Sequence, residues 1–377
     1  MQTMADQIYS EQYQKIRRLT LAIEAENREI ARKLAQEMVA DFSDLSAKPE
    51  AVQTLFFVDA LLHRMDPQAH EVGNLYLIPH DGGQQIKLFN FMAEKFPLVR
   101  FAQELVNTAC LKEMQDKESV VILDVGIGTG QQIVKLLERA FQDDSILKNG
   151  LKTRLQKVTV IGIEPAAESL TVAQTALLAL AQKYPVDLQF EAMQKATEEL
   201  DAADWRQLAT WIDQAQGTLL VNASFALHHI RPAHLRSDLF NRLKALSPAL
   251  LALIEPYADF LTPNLTERFM NAWHHYGLVF RAIDQTDAPV EEKNQIKKLF
   301  FSREIQDVLS EDQHRIEQFE TGEMWMARIE GAGFRPGIIE TEDLTLPNFP
   351  FVTIGKMPNY ISLNVAGYPI LSIITAR

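Results

Sequence analysis

The chain divides by the spacing of its apolar positions. Up to about residue 115 they recur at helical intervals. Ile16, Leu19, Ile23, Ile30, Leu34 and Met38 fall on roughly one face of a segment spanning 5–45, interrupted at Glu26 and Asn27. Pro49 marks a break, and further helices are expected over 52–65, 84–95 and 99–114, with a turn at Asp81-Gly82-Gly83. From about 118, short continuous apolar runs alternate with amphipathic stretches, the pattern of a parallel sheet covered by helices. Strands are expected at 120–125, 158–163, 186–190, 218–222 and 249–254, and helices at 131–140, 145–156 and 168–183. Residues 258–330 return to helical spacing. The tail reads as β structure, extended over 336–340 and a hairpin of 360–365 with 369–375 around Ala366-Gly367.

These changes of period divide the chain into an N-terminal helical cap (1–115), a core (116–257), a helical cap insertion (258–330) and C-terminal strands that complete the core sheet (331–377). The chain's 377 residues, 47% hydrophobic and 23% charged, suffice for one large domain or two intimate ones. A net charge of −13 argues against a general nucleic-acid or anionic-membrane surface. The single cysteine, Cys110, excludes an internal disulfide and fits a reducing, cytoplasmic compartment; in its helical context it reads as a core thiol. No apolar run reaches the roughly 18 residues of a membrane span, and MQTMADQIYSEQYQK has no apolar signal core.

Residues 120–130, VVILDVGIGTG, carry the most information. A strand apolar on both faces meets Asp124, then Gly126, Gly128 and Gly130 at alternate positions, then a helix opening at Gln131. Glycines let a backbone turn tightly and approach a ligand. A dinucleotide fold wants G-x-G-x-x-G with pyrophosphate on the helix. Here the acid at the strand end would repel pyrophosphate and attract an ammonium group, which points to S-adenosylmethionine. No Gly-Lys-Ser/Thr follows, so a P-loop is excluded. The plain alternative is a tight turn with no ligand. Glu164 ends the second strand and suits ribose hydroxyls, although it lies 40 residues after Asp124, about twice the usual interval. Met193 is expected near the adenine and Asn222 at the cofactor edge of the fourth strand.

Two resemblances follow from these residues. D-x-G-x-G-x-G, the acid at the second strand and ALHHI at 226–230 together resemble class I S-adenosylmethionine-dependent methyltransferases. Nearly the whole chain resembles a bacterial member of the GRAS family, better known from plant transcriptional regulators. VVILD at 120–124 stands where that family has VHIID, and FPLVRFA at 96–102 resembles the block before it. Asn222 with Leu227-His228 matches its valine-asparagine…leucine-histidine segment. Arg268-Phe269…His275-Tyr276, Arg303-Glu304-Ile305, Glu320, Trp325 and Ala332-Gly333-Phe334 follow its C-terminal order, and GYPILSIITAR at 367–377 sits at its closing block without the tryptophan. The resemblance implies an α/β fold: a Rossmann-like class I methyltransferase core with a mostly parallel seven-stranded sheet and a helical cap. It leaves activity open, because plant members act mainly as protein-binding regulators; the retained Asp124 and glycines favour a cofactor.

Methyl transfer needs alignment, a dry pocket and at most one base. His228 and His229 lie beside the expected methyl position and Glu255 at the same sheet edge, so these three are the catalytic candidates. Adjacent helical residues point about 100° apart, so only one histidine should face the site. Either can instead cap the turn, and Glu255 can instead pair with a cap arginine. Arg64, His275, Tyr276, Arg303 and Trp325 are the candidate lining of a substrate cavity. No metal signature is expected, since the paired histidines are adjacent and no carboxylate cluster accompanies them. The reading is a methyltransferase acting on a small-molecule hydroxyl or amine, with no nucleic-acid or membrane partner, and with a homodimer through the N-terminal helix as an open alternative. The competing reading is a non-catalytic regulatory scaffold that can still bind the cofactor.

Overall fold

The computed structural model describes residues 11–40, 49–65, 96–142, 154–339, 341 and 351–377. The predicted turn at 81–83 and helix at 84–95 lie outside them, as does most of the helix expected at 145–156.

Five strands form the parallel part of the sheet: β1 (Ser119–Val125), β2 (Lys157–Ile163), β3 (Asp187–Met193), β4 (Thr218–Ser224) and β5 (Leu250–Pro256). Strands buried on both faces read as continuous apolar runs, and β5 is buried at all seven positions. The β pleat then sorts alternate residues between two cores. Val120, Ile122, Val158 and Val160 enter one, and Val121, Leu123, Ile161 and Ile163 enter the other. The C-terminal strands β6 (Val352–Lys356), β7 (Ile361–Val365) and β8 (Tyr368–Ala376) extend the sheet in antiparallel fashion, giving the order β3-β2-β1-β4-β5-β8-β7-β6. Among the described residues the sheet thus has eight strands, not the expected seven. The additional one is β6, a half-exposed edge whose pattern is too weakly apolar to stand out. The β7–β8 hairpin turns where expected. Ala366 and Gly367 both have positive φ, 52° and 84°, as a two-residue turn of matching twist requires.

Helices α1 (Glu11–Glu24), α2 (Arg28–Ala40), α3 (Pro49–Met65) and α4 (Pro97–Met114) precede the sheet. The segment predicted as one helix over 5–45 breaks at Glu26, which has a φ of 57°, and Asn27 Oδ1 then caps α2 by accepting from Ile30 N at 3.2 Å. Helices α5 (Gln131–Phe141) and α6 (Ala167–Lys183) share the α4 face of the sheet, while α7 (Ala202–Ala215) and α8 (His234–Ala245) cover the other.

After β5 come α9 (Leu265–Asp284), α10 (Val290–Ile296), a π-turn over Lys297–Phe301, α11 (Ser302–Leu309) and α12 (Gly322–Gly331). The stretch 310–321 is not helical, contrary to the uniform helical reading of 258–330. Helices α1 and α3 pack on α9, and α3 on α11. Phe57 meets Trp273 edge-on at 5.0 Å, and Tyr13 stacks on Phe269 at 5.7 Å. Each such ring contributes about 1.5–3 kcal/mol by burial alone. Glu24, at the end of α1, accepts from Thr266 N at 3.1 Å and so caps the start of α9. Helix α12 leaves this bundle and packs on α8 and β8.

Candidate functional site

The acids predicted at the sheet edge do gather at the C-terminal ends of the strands, where open α/β sheets bind ligands. Asp124 and Asn222 are register partners across β1 and β4. Asn222 Nδ2 donates to Asp124 Oδ1 at 2.7 Å, and Gln132 Nε2 donates to both Asn222 Oδ1 (3.3 Å) and Asn107 Oδ1 (3.4 Å). Gln132, one position beyond the predicted Gln131, thereby joins α4, α5 and β4. Asp124 is only 3% exposed. Burial pushes its carboxyl up, to about 7; the Asn222 amide opposes this and the Glu164 charge adds to it.

All three cradle glycines have positive φ, but they serve different ends. A Cβ on Gly126 would lie 2.4 Å from the Ala226 Cβ, and one on Gly130 would lie 3.0 Å from the Ala173 Cβ, so both permit close packing. A Cβ on Gly128 would meet nothing within 4 Å. Glu164 reaches back to this turn. Its Oε2 accepts from Gly128 N at 3.2 Å and its Oε1 from Ala166 N at 3.0 Å. Burial raises its pKa, with those two amides opposing. The Met193 side chain lies in the apolar core under β3, while its carbonyl accepts from Glu164 N at 3.1 Å.

The three catalytic candidates form one buried cluster. Glu255 Oε1 accepts from Ala226 N (3.0 Å) and Leu227 N (2.8 Å), shaping the turn after β4, and its Oε2 lies 2.5 Å from His228 Nδ1. The other face of His228 meets Glu317: Nε2 is 3.3 Å from Oε2, and His229 Nε2 is 3.3 Å from Oε1. Burial by itself lowers the His228 pKa, but the two carboxylates outweigh it and hold it at about 10. Phe319 closes against the ring edge-on at 4.8 Å. Asp307 holds Glu317 in place by accepting from Ile316 N (2.8 Å) and Glu317 N (2.6 Å). Beside the cluster Arg236 is fully buried. It donates to the carbonyls of His228 (2.5 Å), Gln318 (2.8 Å) and Ile230 (3.2 Å) and pairs with Glu320, which also holds Arg328 at 2.7 Å.

The predicted substrate residues do not come together around a cavity. Arg64 donates to Leu309 O at 3.1 Å, tying α3 to the end of α11. His275 is buried, with Nδ1 3.1 Å from Tyr257 O, and burial lowers its pKa to about 4. Tyr276 is fully buried and stacked 6.1 Å from Phe260, while the half-buried Arg303 sits on α11. Trp325 belongs to the opposite core, with Phe240 and Arg236 against it, because α12 crosses to the α8 side. An open concavity of about 450 Å³ lies there, between α8 and α12, lined by Ser237, Asn241, Met324 and Arg328 among others. Sequence reasoning missed Gln132, Arg236 and Glu317. Arg236 had a visible signal, a cation within the apolar stripe of HLRSDLFNRL; Glu317 had none.

The fold and this edge define an α/β protein with a mostly parallel sheet, helices packed against it and an ion-paired interior where an acceptor site was expected. Residues 14–345 match the GRAS domain family, and the chain belongs to it. It is similar to Scarecrow-like protein 1 of Arabidopsis thaliana, 26% identical over 263 residues, covering 67% of this chain and 42% of that protein. It is similar also to the Scarecrow-like transcription factor PAT1 of the same plant, 26% identical over 265 residues, covering 67% and 51%. The DELLA protein RGL3, also from Arabidopsis thaliana, matches at 25% over 287 residues, covering 74% and 51%. The chain spans about half the length of these relatives. Its fold matches the structure of SCL7 from Oryza sativa with a TM-score of 0.80 at 21% identity, over 98% of this chain and 100% of that one.

These matches correct the enzyme reading. The relatives carry the names of Scarecrow-like and DELLA proteins and, in one case, of a transcription factor, none that of a methyltransferase. The expected methyltransferase activity and the partnership with a small molecule to the exclusion of nucleic acid are both overturned. Packing agrees with the correction, since His228, Glu255, His275 and Tyr276 are occupied with one another and with their neighbours rather than facing an acceptor. Among the described residues no helix is long and apolar enough to cross a membrane.

Proposed function

We propose that this chain is a non-catalytic regulatory scaffold of the GRAS type, working by contact with macromolecular partners. The observation that carries this reading is the closed sheet edge: Glu255, His228 and Glu317 are each less than 4% exposed and engaged with one another. A group that must take a proton from a substrate has to reach it, and these do not. The kinship with proteins named as regulators supports the same conclusion. The core is, in this reading, of the Rossmann-like methyltransferase type put to structural use, supported by the parallel order β3-β2-β1-β4-β5 with an antiparallel strand beside β5. The parsing into 1–115 and 258–330 as cap, with 116–257 and 331–377 as core, belongs to the same proposal and is supported by the packing of α1 and α3 on α9.

The cradle keeps features of a ligand site. Space lies open beyond Gly128, and Glu164 is only partly buried. The residues present fit the adenosyl half of S-adenosylmethionine, with Glu164 toward the ribose. Asp124 and Asn222, at the other end, are already bonded to each other. The cofactor therefore enters as a bound regulator or structural ligand rather than as a methyl donor. Fusion of the chain to a heterologous DNA-binding domain should change transcription of a reporter in plant cells. Reporter output equal to that of the DNA-binding domain alone, or methyl transfer from labelled S-adenosylmethionine into a small-molecule extract, would overturn the scaffold. Calorimetry with S-adenosylmethionine tests the cradle by itself, and no heat of binding to the folded protein would remove the cofactor from the proposal.

A further inference from the structure

His228, His229 and Glu317 each offer one ligand atom, and these atoms all lie within 4.8 Å of one another. His228 Nε2 lies 3.3 Å from Glu317 Oε2, and His229 Nε2 lies 3.3 Å from Oε1, the other oxygen of the same carboxylate. Zinc bonds of about 2.0–2.2 Å in a tetrahedron place their ligand atoms about 3.3–3.6 Å apart, so each of these imidazole–carboxylate distances is one that two ligands of a single ion can have. The two imidazoles lie 3.9 Å apart at centroid, tilted by 57°, and both turn Nε2 toward Glu317.

Three independent features point the same way. First, Glu317 Oε2 is buried and makes no hydrogen bond. It faces His228 Nε2 at 3.3 Å. A buried carboxylate oxygen needs a cation against it, an imidazolium or a metal ion. Second, a carboxylate can only accept, so Glu255 at 2.5 Å places the His228 proton on Nδ1. Nε2 is then the atom directed at Glu317, and an ion that displaces its proton takes the lone pair. Carboxylate to Nδ1 with Nε2 to the ion is the arrangement that orients most metal-bound histidines. Third, two buried carboxylates, Glu255 and Glu317, face two imidazoles. Zn²⁺ that displaces the Nε2 proton of His228 meets the charge of both carboxylates.

We propose that His228 Nε2, His229 Nε2 and a Glu317 carboxylate oxygen bind one Zn²⁺, with Glu255 orienting His228. Two nitrogens and one oxygen suit zinc, a borderline ion that takes imidazole and carboxylate together. Water supplies the fourth ligand on the side of His229, the most accessible of the three at 18% side-chain exposure. The ligands come from two places far apart in the chain, the turn after β4 and the non-helical stretch 310–321. The ion therefore clamps that stretch to the sheet. This holds whether or not the protein is a scaffold.

The test uses the full-length protein stripped of metal by chelator and titrated with Zn²⁺ alone against a chromogenic chelator. One tight equivalent per chain and a higher melting temperature are expected. Cobalt(II) in place of zinc should give the visible d–d bands of a four-coordinate site with nitrogen and oxygen ligands. Glu255→Gln should weaken Zn²⁺ roughly 10- to 100-fold, as loss of an orienting partner does. His229→Gln, the change least disturbing to the core, should abolish the tight equivalent while far-UV circular dichroism is retained. Wild-type protein that takes up no stoichiometric zinc, or whose melting temperature ignores it, would overturn the proposal and leave a metal-free ion network. Undiminished zinc binding by folded His229→Gln would overturn it as well, and the wild-type titration and cobalt spectrum decide the matter even if a variant does not fold.

Discussion

Asp124→Asn should stabilise this protein, and increasingly so as pH rises. Asp124 is 3% exposed, and its one direct bond is the Asn222 Nδ2 donation at 2.7 Å. The charged groups about it do not help: Glu164 raises its pKa, and the nearby Cys110 is a thiol pushed up to about 12 by burial. A carboxyl raised to about 7 in the folded chain, against 3.8 ordinarily, binds its proton more tightly folded than unfolded. Its effect on stability is therefore absent below about pH 4, where both states are protonated, and grows as pH rises toward 7. Roughly 3 pK units at about 1.4 kcal/mol each give a penalty of about 4 kcal/mol at its largest. The asparagine keeps an acceptor for Asn222 and carries no charge, so it escapes that penalty. Urea titrations of both proteins from about pH 4.5 to about pH 7.5 should give midpoints that differ by only about 1 kcal/mol of stability at the acid end and separate further in favour of Asp124→Asn as pH rises. A variant that is less stable at neutral pH, or a difference that does not change with pH, would refute the argument, because it would mean that the ionised carboxylate is satisfied in place.

Three further outcomes are expected. Gly126→Ala should destabilise by a few kcal/mol, since its Cβ would fall 2.4 Å from that of Ala226 at a φ of 79°; Gly128→Ala meets open space and should lose only the roughly 1 kcal/mol of its backbone strain, as denaturant midpoints will report. Glu320→Ala strands the fully buried Arg236 and should cost about 3–5 kcal/mol by the same measure, much of it recovered by also replacing Arg236 with Met. Cys110 should react with thiol reagents at neutral pH only as fast as the protein opens, because burial raises its pKa and hides it; labelling as rapid as in denaturant would contradict this.

What could be read from the sequence was what local spacing encodes. Four of the five parallel strands declare themselves as apolar runs, β3 being a largely exposed edge, the hairpin at Ala366-Gly367 by its turn residues, and Glu164 and Asp124 by standing at strand ends. The site's other half comes from distant places. Glu317 lies 88 residues from His229 in a stretch that reads as helix and is not. The adjacency of His228 and His229 argues against a shared ligand only if both belong to one α-helix. They sit instead in a 3-10 turn that Glu255 shapes from the neighbouring strand. Trp325 was misplaced for a similar reason. Nothing near it in sequence says that α12 crosses to the other face. The methyltransferase reading is corrected by the GRAS kinship; the residues are those such chemistry would use, but His228, Glu255 and Glu317 are turned toward one another.

The position of β8 has a consequence for how this molecule is made. It lies between β5 and β7, so β6 and β7, although synthesised before it, reach the rest of the sheet only through it. During translation the five parallel strands can assemble while β6 and β7 wait, their open edges exposed, for a partner that has not yet emerged. The order of synthesis and the order of assembly run opposite ways at this end of the chain. A stall or truncation before Tyr368 would therefore remove three strands from the sheet, and uncover the flank of β5, for the loss of one.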